Sequence, residues 1–319
     1  MTSTGMKWVL ASLAACICIA AVFAFPALVR EMPLPAPAAP GRLVTILAFG
    51  DIMLDRAVRQ DIDAYGPSYP FKKIAPLLKG HDIVVANAEG VFTGNASIAS
   101  FSALEFTFAT STLLVLKSLG FTDLSQANNH ALNFGWSGLT ESRSAIAAAR
   151  MQSFGDPENK SPGPVYETVR GTTIAFVGYD QFSADGGEAS SSLAAIKEAK
   201  RVGAFVIVYP HWGEEYNDGT TTLQTVLART FVDAGADVVI GSHPHVVEPI
   251  ETYKGRAIFY SLGNFIFDQS WDADVSHGLA VEISLTDKTV AYTLHPFAII
   301  KAQAVPATSA PVSFMLERY

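Results

Sequence analysis

Six strand-like runs in this chain each end in a cluster of residues able to bind a metal ion. Ile46–Phe49 precedes Gly50-Asp51, Ile83–Ala86 precedes Asn87-Ala88-Glu89, and Phe121–Ala127 precedes Asn128-Asn129-His130. Phe205–Tyr209 precedes Pro210-His211-Trp212-Gly213, Val238–Ile240 precedes Gly241-Ser242-His243-Pro244-His245, and Ile258–Leu262 precedes Gly263-Asn264. Short apolar runs bounded by turn residues read as strands buried on both faces. Ligands of open α/β proteins bind beyond the carboxyl ends of such strands. The pattern therefore predicts one site, assembled from most of the chain.

Between these runs, Ser111–Leu119, Ser137–Ala149, Ser191–Arg201 and Gln224–Ala234 carry helical spacing, and Tyr69–Leu78 reads as the start of a helix. Strands follow in succession after residue 257. Alternation in the middle and strands at the end predict an α/β core of two packed sheets, helices outside, and a late antiparallel section.

Taken singly, the clusters are ambiguous. Asp51 serves equally as a turn or cap residue. Asp55 and Arg56 read as a surface ion pair of small weight. Residues two apart in an extended segment point to one side, so Asn87 and Glu89 can face a common site. Pro244 pushes His243 toward extended backbone, which predicts that His243 and His245 share a face, and Gly241 permits close backbone approach. Asn128 and Asn129 offer amide oxygens, and His130 offers a ligand or an acid. Glu214 or Glu215 is placed to orient His211. His81 and His295 read as surface and structural residues, and His277 as a site-edge residue. The only cysteines, Cys16 and Cys18, fall near the N-terminus, so the site is expected to use nitrogen and oxygen ligands. That set suits Mn, Fe, Zn or Mg. Two such ions, about 3.5–4 Å apart, clamp the attacking and leaving oxygens in hydrolysis.

The net charge of −8 and the absence of a basic cluster argue against a nucleic-acid partner. Trp8 to Val29 is uncharged and long enough to span a bilayer, with Lys7 before it and Arg30 after it. Residues 1–30 are expected to be a transmembrane signal anchor that places the rest outside the cytoplasmic membrane. Cleavage after Val22-Phe23-Ala24, giving a secreted protein, and lipidation at Cys16 are the alternatives. Residues 31–41, EMPLPAPAAPG, read as a Pro/Ala-rich linker, and residues 42–319 as the folded domain.

In chain order, GDIMLDR, NAEG, ANNHALNFG, HWGEEY, GADVVIGSHPHVVEPIE and YSLGNFIFD resemble the CapA/PgsA family of poly-γ-glutamate capsule synthesis proteins, relatives of the calcineurin-like metallophosphatases. The resemblance runs from Leu43 to Asp268 and implies a four-layer α/β/β/α sandwich of metallophosphatase type. It implies that Asp51 and His245 bind a first metal and that Glu89 takes the place of a bridging aspartate. Asn129, His211 and His243 would bind a second metal, with His130 as the catalytic acid. Arg56, Asn87, Asn128, Glu214 and Asn264 are candidates for contacting substrate or supporting the ligands. Two positions depart from the pattern. Met53 stands where the phosphatases carry histidine, and thioether sulfur is a poor ligand for hard ions. Asn133 stands where aspartate is common, beside His130.

Three functions follow as expectations. The first is a membrane-anchored hydrolase or transferase acting on poly-γ-glutamate or another envelope polymer, with divalent ions activating water and His130 protonating the leaving group. The second is a phosphoesterase acting on a small or lipid-linked phosphate ester. The third, prompted by Met53, is a non-catalytic scaffold among membrane synthase subunits.

Overall fold

The computed structural model describes residues 43–307 and 312–317, except 98, 101–103 and 162. The expected anchor, the linker and both cysteines lie outside the described residues. Among the described residues no helix is long and apolar enough to cross a membrane.

Strand and helix alternate from the start. The first half runs β1 (Val44–Ile52), α1 (Arg56–Tyr65), α2 (Ala75–Leu78), β2 (Ile83–Ala88), β3 (Val91–Thr93), β4 (Thr107–Ala109), α3 (Ser111–Leu119), β5 (Asp123–Ser125), α4 (Gly135–Ala148) and β6 (Gln152–Phe154). It continues with β7 (Val165–Val169), β8 (Thr172–Asp180), α5 (Ser190–Arg201), β9 (Phe205–His211), α6 (Thr222–Ala234) and β10 (Val238–Ile240). The end is strand apart from one 3-10 turn, Asp274–Ser276: β11 (Ile250–Tyr253), β12 (Arg256–Phe259), β13 (Asn264–Ile266), β14 (His277–Leu285), β15 (Thr289–Ile300), β16 (Gln303–Pro306) and β17 (Val312–Glu317).

One sheet has the order β16-β15-β14-β1-β2-β5-β6, with β13 also paired to β1 and β17 to β15. A second has the order β11-β12-β10-β9-β8-β7, and β3 and β4 form a small two-stranded sheet. Side chains alternate across each strand, and the sequence uses both faces. In β1, Val44, Ile46 and Ala48 point into a core shared with Phe205, Ile207 and Tyr209 of β9, so the two sheets pack face to face. Leu47 and Phe49 point the other way, against Val58 of α1, Leu116 of α3 and Ile146 of α4. Val206 and Val208 of β9 likewise meet Ile196 of α5 and Phe231 of α6. This is the four-layer α/β/β/α sandwich.

The expected helix over Tyr69–Leu78 is broken into a 3-10 turn, Tyr69–Phe71, and the single turn of α2. Prolines at the start of each piece remove the donors that would continue one helix. Helix α1 has no counterpart in the sequence reading, because only Arg56, Val58 and Ile62 of its ten residues are buried. Strand β13 matters most for the site. It runs parallel to β1, its Phe265 ring stacks on Phe49 at 3.9 Å, and its register sets Asn264 opposite Asp51. Gly50 permits this approach, since a Cβ there would lie 1.8 Å from the carbonyl oxygen of Gly263.

Candidate functional site

Strand register brings the clusters together. Asp51 pairs with Asn87 across β1 and β2 and with Asn264 across β1 and β13. In the facing sheet His211, at the end of β9, bridges to Ser242 just beyond β10. Gly241 makes the turn after β10 possible: a Cβ there would lie 1.9 Å from the carbonyl oxygen of Tyr260.

Several amides can be oriented from main-chain groups of fixed polarity. Asn128 Nδ2 donates to the Ala88 carbonyl (2.9 Å) and to Asn87 Oδ1 (2.9 Å). Asn87 Nδ2 then donates to Asp51 Oδ1 (2.8 Å) and lies 3.3 Å from His211 Nδ1. Asp51 Oδ2 accepts from the main-chain N–H of His243 (3.1 Å). Asn87 and Asn128 thus support the ligands from behind.

The predicted ligands form two adjoining groups. In one, His211 Nε2 lies 2.9 Å from Asn129 Oδ1 and 3.1 Å from His243 Nδ1. In the other, His245 Nδ1 lies 3.4 Å from Asp51 Oδ2 and His245 Nε2 lies 3.6 Å from Glu89 Oε1. His130 Nε2 is also 3.6 Å from Glu89 Oε1. Asp51, Glu89 and His211 each present a ligand atom within 4.8 Å of the others.

Glu89 is fully buried, and neither of its oxygens has a hydrogen-bond partner among the described residues. Burial, then the charges of Asp51 and Glu215, hold its carboxyl well above the usual range. A bare buried carboxylate costs several kcal/mol. It therefore takes up a proton, with Asp51 as the neighbouring acceptor, or it faces a cation. Burial also drives His211 and His243 toward their neutral forms. His211 is held well below its ordinary value by burial and then by His243, and His243 is pushed down to about 3 by burial and then by His245. Neutral imidazoles and oxygen donors of this kind fit a divalent metal ion.

The structure changes four local expectations. His243 and His245 are not on extended backbone: their φ angles are 99° and 62°. They converge because a left-handed turn, rather than strand alternation, carries both rings inward, with centroids 5.9 Å apart. Glu214 does not orient His211. It is exposed and accepts from Asn217 Nδ2 at 3.2 Å, whereas His211 Nδ1 meets Ser242 Oγ at 3.0 Å. Asp55 and Arg56 are buried and form no surface pair. Arg56 is ion-paired to Asp268 and lies 5.0 Å and 5.4 Å from the ring centroids of Phe106 and Phe267. The His277 side chain is exposed and bonded to the Ala273 carbonyl rather than to any of the ligands above. Met53 is fully buried and its Sδ accepts from the Asp55 N–H at 3.1 Å, so it adds nothing to the ligand set.

A cleft of about 220 Å³ opens onto Glu89, His130 and His245, with Arg56, Tyr216 and Trp271 among its walls. Glu215 and Gln269 also line it. Gln269 follows the GNFIFD run directly and had no signal of its own. Tyr216 and Glu215 end the HWGEEY run, and a rim role for them is visible only once the strand ends are assembled.

Known proteins resemble this chain in fold or in sequence. A phosphatase crystal structure from Mycoplasma pneumoniae superposes with a TM-score of 0.50 at 13% identity, covering 87% of this chain and 95% of that one. That likeness shows the fold. The PGA biosynthesis protein CapA of Bacillus subtilis is 35% identical over 70% of this chain and 63% of its own length. The capsule biosynthesis protein CapA of Bacillus anthracis is 33% identical over 84% of this chain and 70% of its own length. Residues 45–269, which hold every candidate ligand placed above, match the model of the bacterial capsule synthesis protein PGA_cap, and the chain belongs to that family.

Proposed function

We propose that this protein acts in the synthesis or processing of poly-γ-glutamate as a metal-dependent hydrolase or transferase, held outside the cytoplasmic membrane by residues 1–30. The names of the Bacillus relatives support the polymer. The observation that carries the chemistry is Glu89: a fully buried carboxylate with no hydrogen bond among the described residues, ringed by two imidazole nitrogens at 3.6 Å and by Asp51. Asp51, Glu89 and His245 would hold one divalent ion, and Asn129, His211 and His243 a second, adjacent one. Bound there, such ions would supply Lewis-acid polarisation of a carbonyl. Arg56 and the cations would provide the positive charge that a polyanion needs and that a chain of net charge −8 otherwise lacks.

His130 faces the cleft as a neutral ring. Asn133 Oδ1 accepts from the Phe106 N–H (3.2 Å), which fixes that amide, so His130 Nδ1 donates to it at 3.1 Å, and Nε2 lies 3.6 Å from Glu89 Oε1. Burial lowers the pKa of His130, against the Asn133 hydrogen bond. His130 would therefore accept the proton of the nucleophile at Nε2 and return it to the leaving group.

The test is turnover by the purified full chain with Mn, offered poly-γ-glutamate and a panel of phosphate mono- and diesters. Metal-dependent cleavage or transfer on the polymer, abolished in His130→Ala, is the expected result. Turnover on phosphate esters alone assigns a phosphoesterase. The position of Met53, turned away from the site, favours a scaffold as the second reading. Polymer export that survives Asp51→Ala and His130→Ala in cells would establish it.

A further inference from the structure

The amide of Asn264 has only one possible orientation. The atom 3.0 Å from the Val275 carbonyl must donate, so it is Nδ2. Oδ1 therefore faces His245 Nδ1 at 3.0 Å, and because it only accepts, the ring proton lies on Nδ1. Asn264 Nδ2 gives its second hydrogen to Gln269 Oε1 at 2.8 Å, which turns Gln269 Nε2 to the Tyr216 hydroxyl at 3.2 Å. Tyr216 accepts there, and it stands with Glu215 at the rim of the cleft. Every link donates in the same direction, from the buried imidazole outward. Such aligned chains polarise and strengthen one another.

The consequence lies on the other side of the ring. In the Nδ1–H tautomer His245 presents a lone pair at Nε2, which faces Glu89 Oε1 at 3.6 Å. Two acceptors are turned toward each other, an arrangement that a cation between them relieves. Asn264 and Gln269 are almost wholly buried, so water does not substitute freely for either link. The Tyr216 ring lies beside that of His245, with centroids 6.0 Å apart, and against Trp271 at 5.5 Å.

We propose that Asn264, Gln269 and Tyr216 are positioning residues: their one-way hydrogen-bond relay locks His245 in its Nδ1–H tautomer and aims the Nε2 lone pair at Glu89 and the metal. The link to the metal rests on the proposed metal site; the tautomer does not. Partners that orient a ligating histidine in this way typically change metal affinity by about 10–100-fold.

The test reads both. Two-bond proton–nitrogen spectra of the histidine-labelled, metal-free full chain report the tautomer of His245, assigned by comparison with His245→Gln. Zinc titration calorimetry reports affinity. The wild type shows Nδ1–H. Gln269→Leu gives mixed tautomers and about 10–100-fold weaker zinc binding. Tyr216→Phe, which breaks only the last link, weakens binding a few-fold. Gln269→Glu still accepts from Asn264 and now accepts from Tyr216, so it keeps the wild-type tautomer and near wild-type affinity. An Nε2–H tautomer in the wild type would overturn the proposal, as would a folded Gln269→Leu with unchanged tautomer and affinity. A wild type that shows Nδ1–H yet binds no zinc keeps the tautomer lock and removes the metal reading.

Discussion

Asp55 and Glu89 are both fully buried carboxylates, one behind the cleft and one at its floor. Asp55 is saturated: Oδ1 accepts the main-chain N–H of Arg56 (2.7 Å) and Ala99 (2.9 Å), and Oδ2 accepts that of Thr107 (2.8 Å). It caps α1 and ties β4 to the loop after β1. Glu89 accepts nothing from the described residues. Burial costs both groups alike, and only Asp55 recovers that cost within the fold. A buried charge that the fold does not satisfy points to something the fold has yet to bind.

The largest expected effect is at Asp55. Asp55→Ala leaves three N–H donors without their acceptor and should cost about 3–5 kcal/mol in urea unfolding. A loss under about 1 kcal/mol would erase the distinction. Next comes Asp123, whose oxygens also lack hydrogen-bond partners among the described residues but which belongs to no ligand group. Burial pushes its carboxyl up to about 7. A raised folded pKa means the folded state binds the proton more tightly. The stability Asp123 contributes is therefore greatest below about pH 4 and falls by up to about 1.4 kcal/mol per pH unit until about pH 7. Asp123→Asn should flatten that decline while leaving metal binding unchanged. Metal-free Glu89→Gln should be more stable than the wild type at neutral pH by about 1–3 kcal/mol, since folding no longer has to protonate a buried carboxyl. The smallest effect is at Asn133. Asn133→Asp places a carboxylate on His130 Nδ1 and should raise the pKa seen for His130 by about one unit, read from its ring-proton titration.

The sequence already showed where the site lies, because strand ends and polar clusters coincide in one dimension. The two-sheet core and the outer helices follow from alternation in β1 and β9, whose residues are buried on both faces. What it concealed was geometry made by single residues. The positive φ of His243 and His245 has no periodic signature, and Pro244 argues for the opposite. Asp55 and Arg56 look like surface charges because the residues that bury them, Phe106, Thr107 and Phe267, are distant in sequence. Strand β13 is three residues long, and its pairing with β1 depends on glycines at 50 and 263 rather than on any hydrophobic pattern. The partners of Asn264 were hidden for the same reason: Gln269 and Val275 reach it through a loop.

Titration of manganese into the metal-free full chain, followed by calorimetry for the wild type and for Glu89→Gln, tests the account most directly. Saturable binding by the wild type, weakened at least about 100-fold in a folded Glu89→Gln variant, is the predicted result. Equal affinity in the two proteins, or no binding by the wild type, would contradict it.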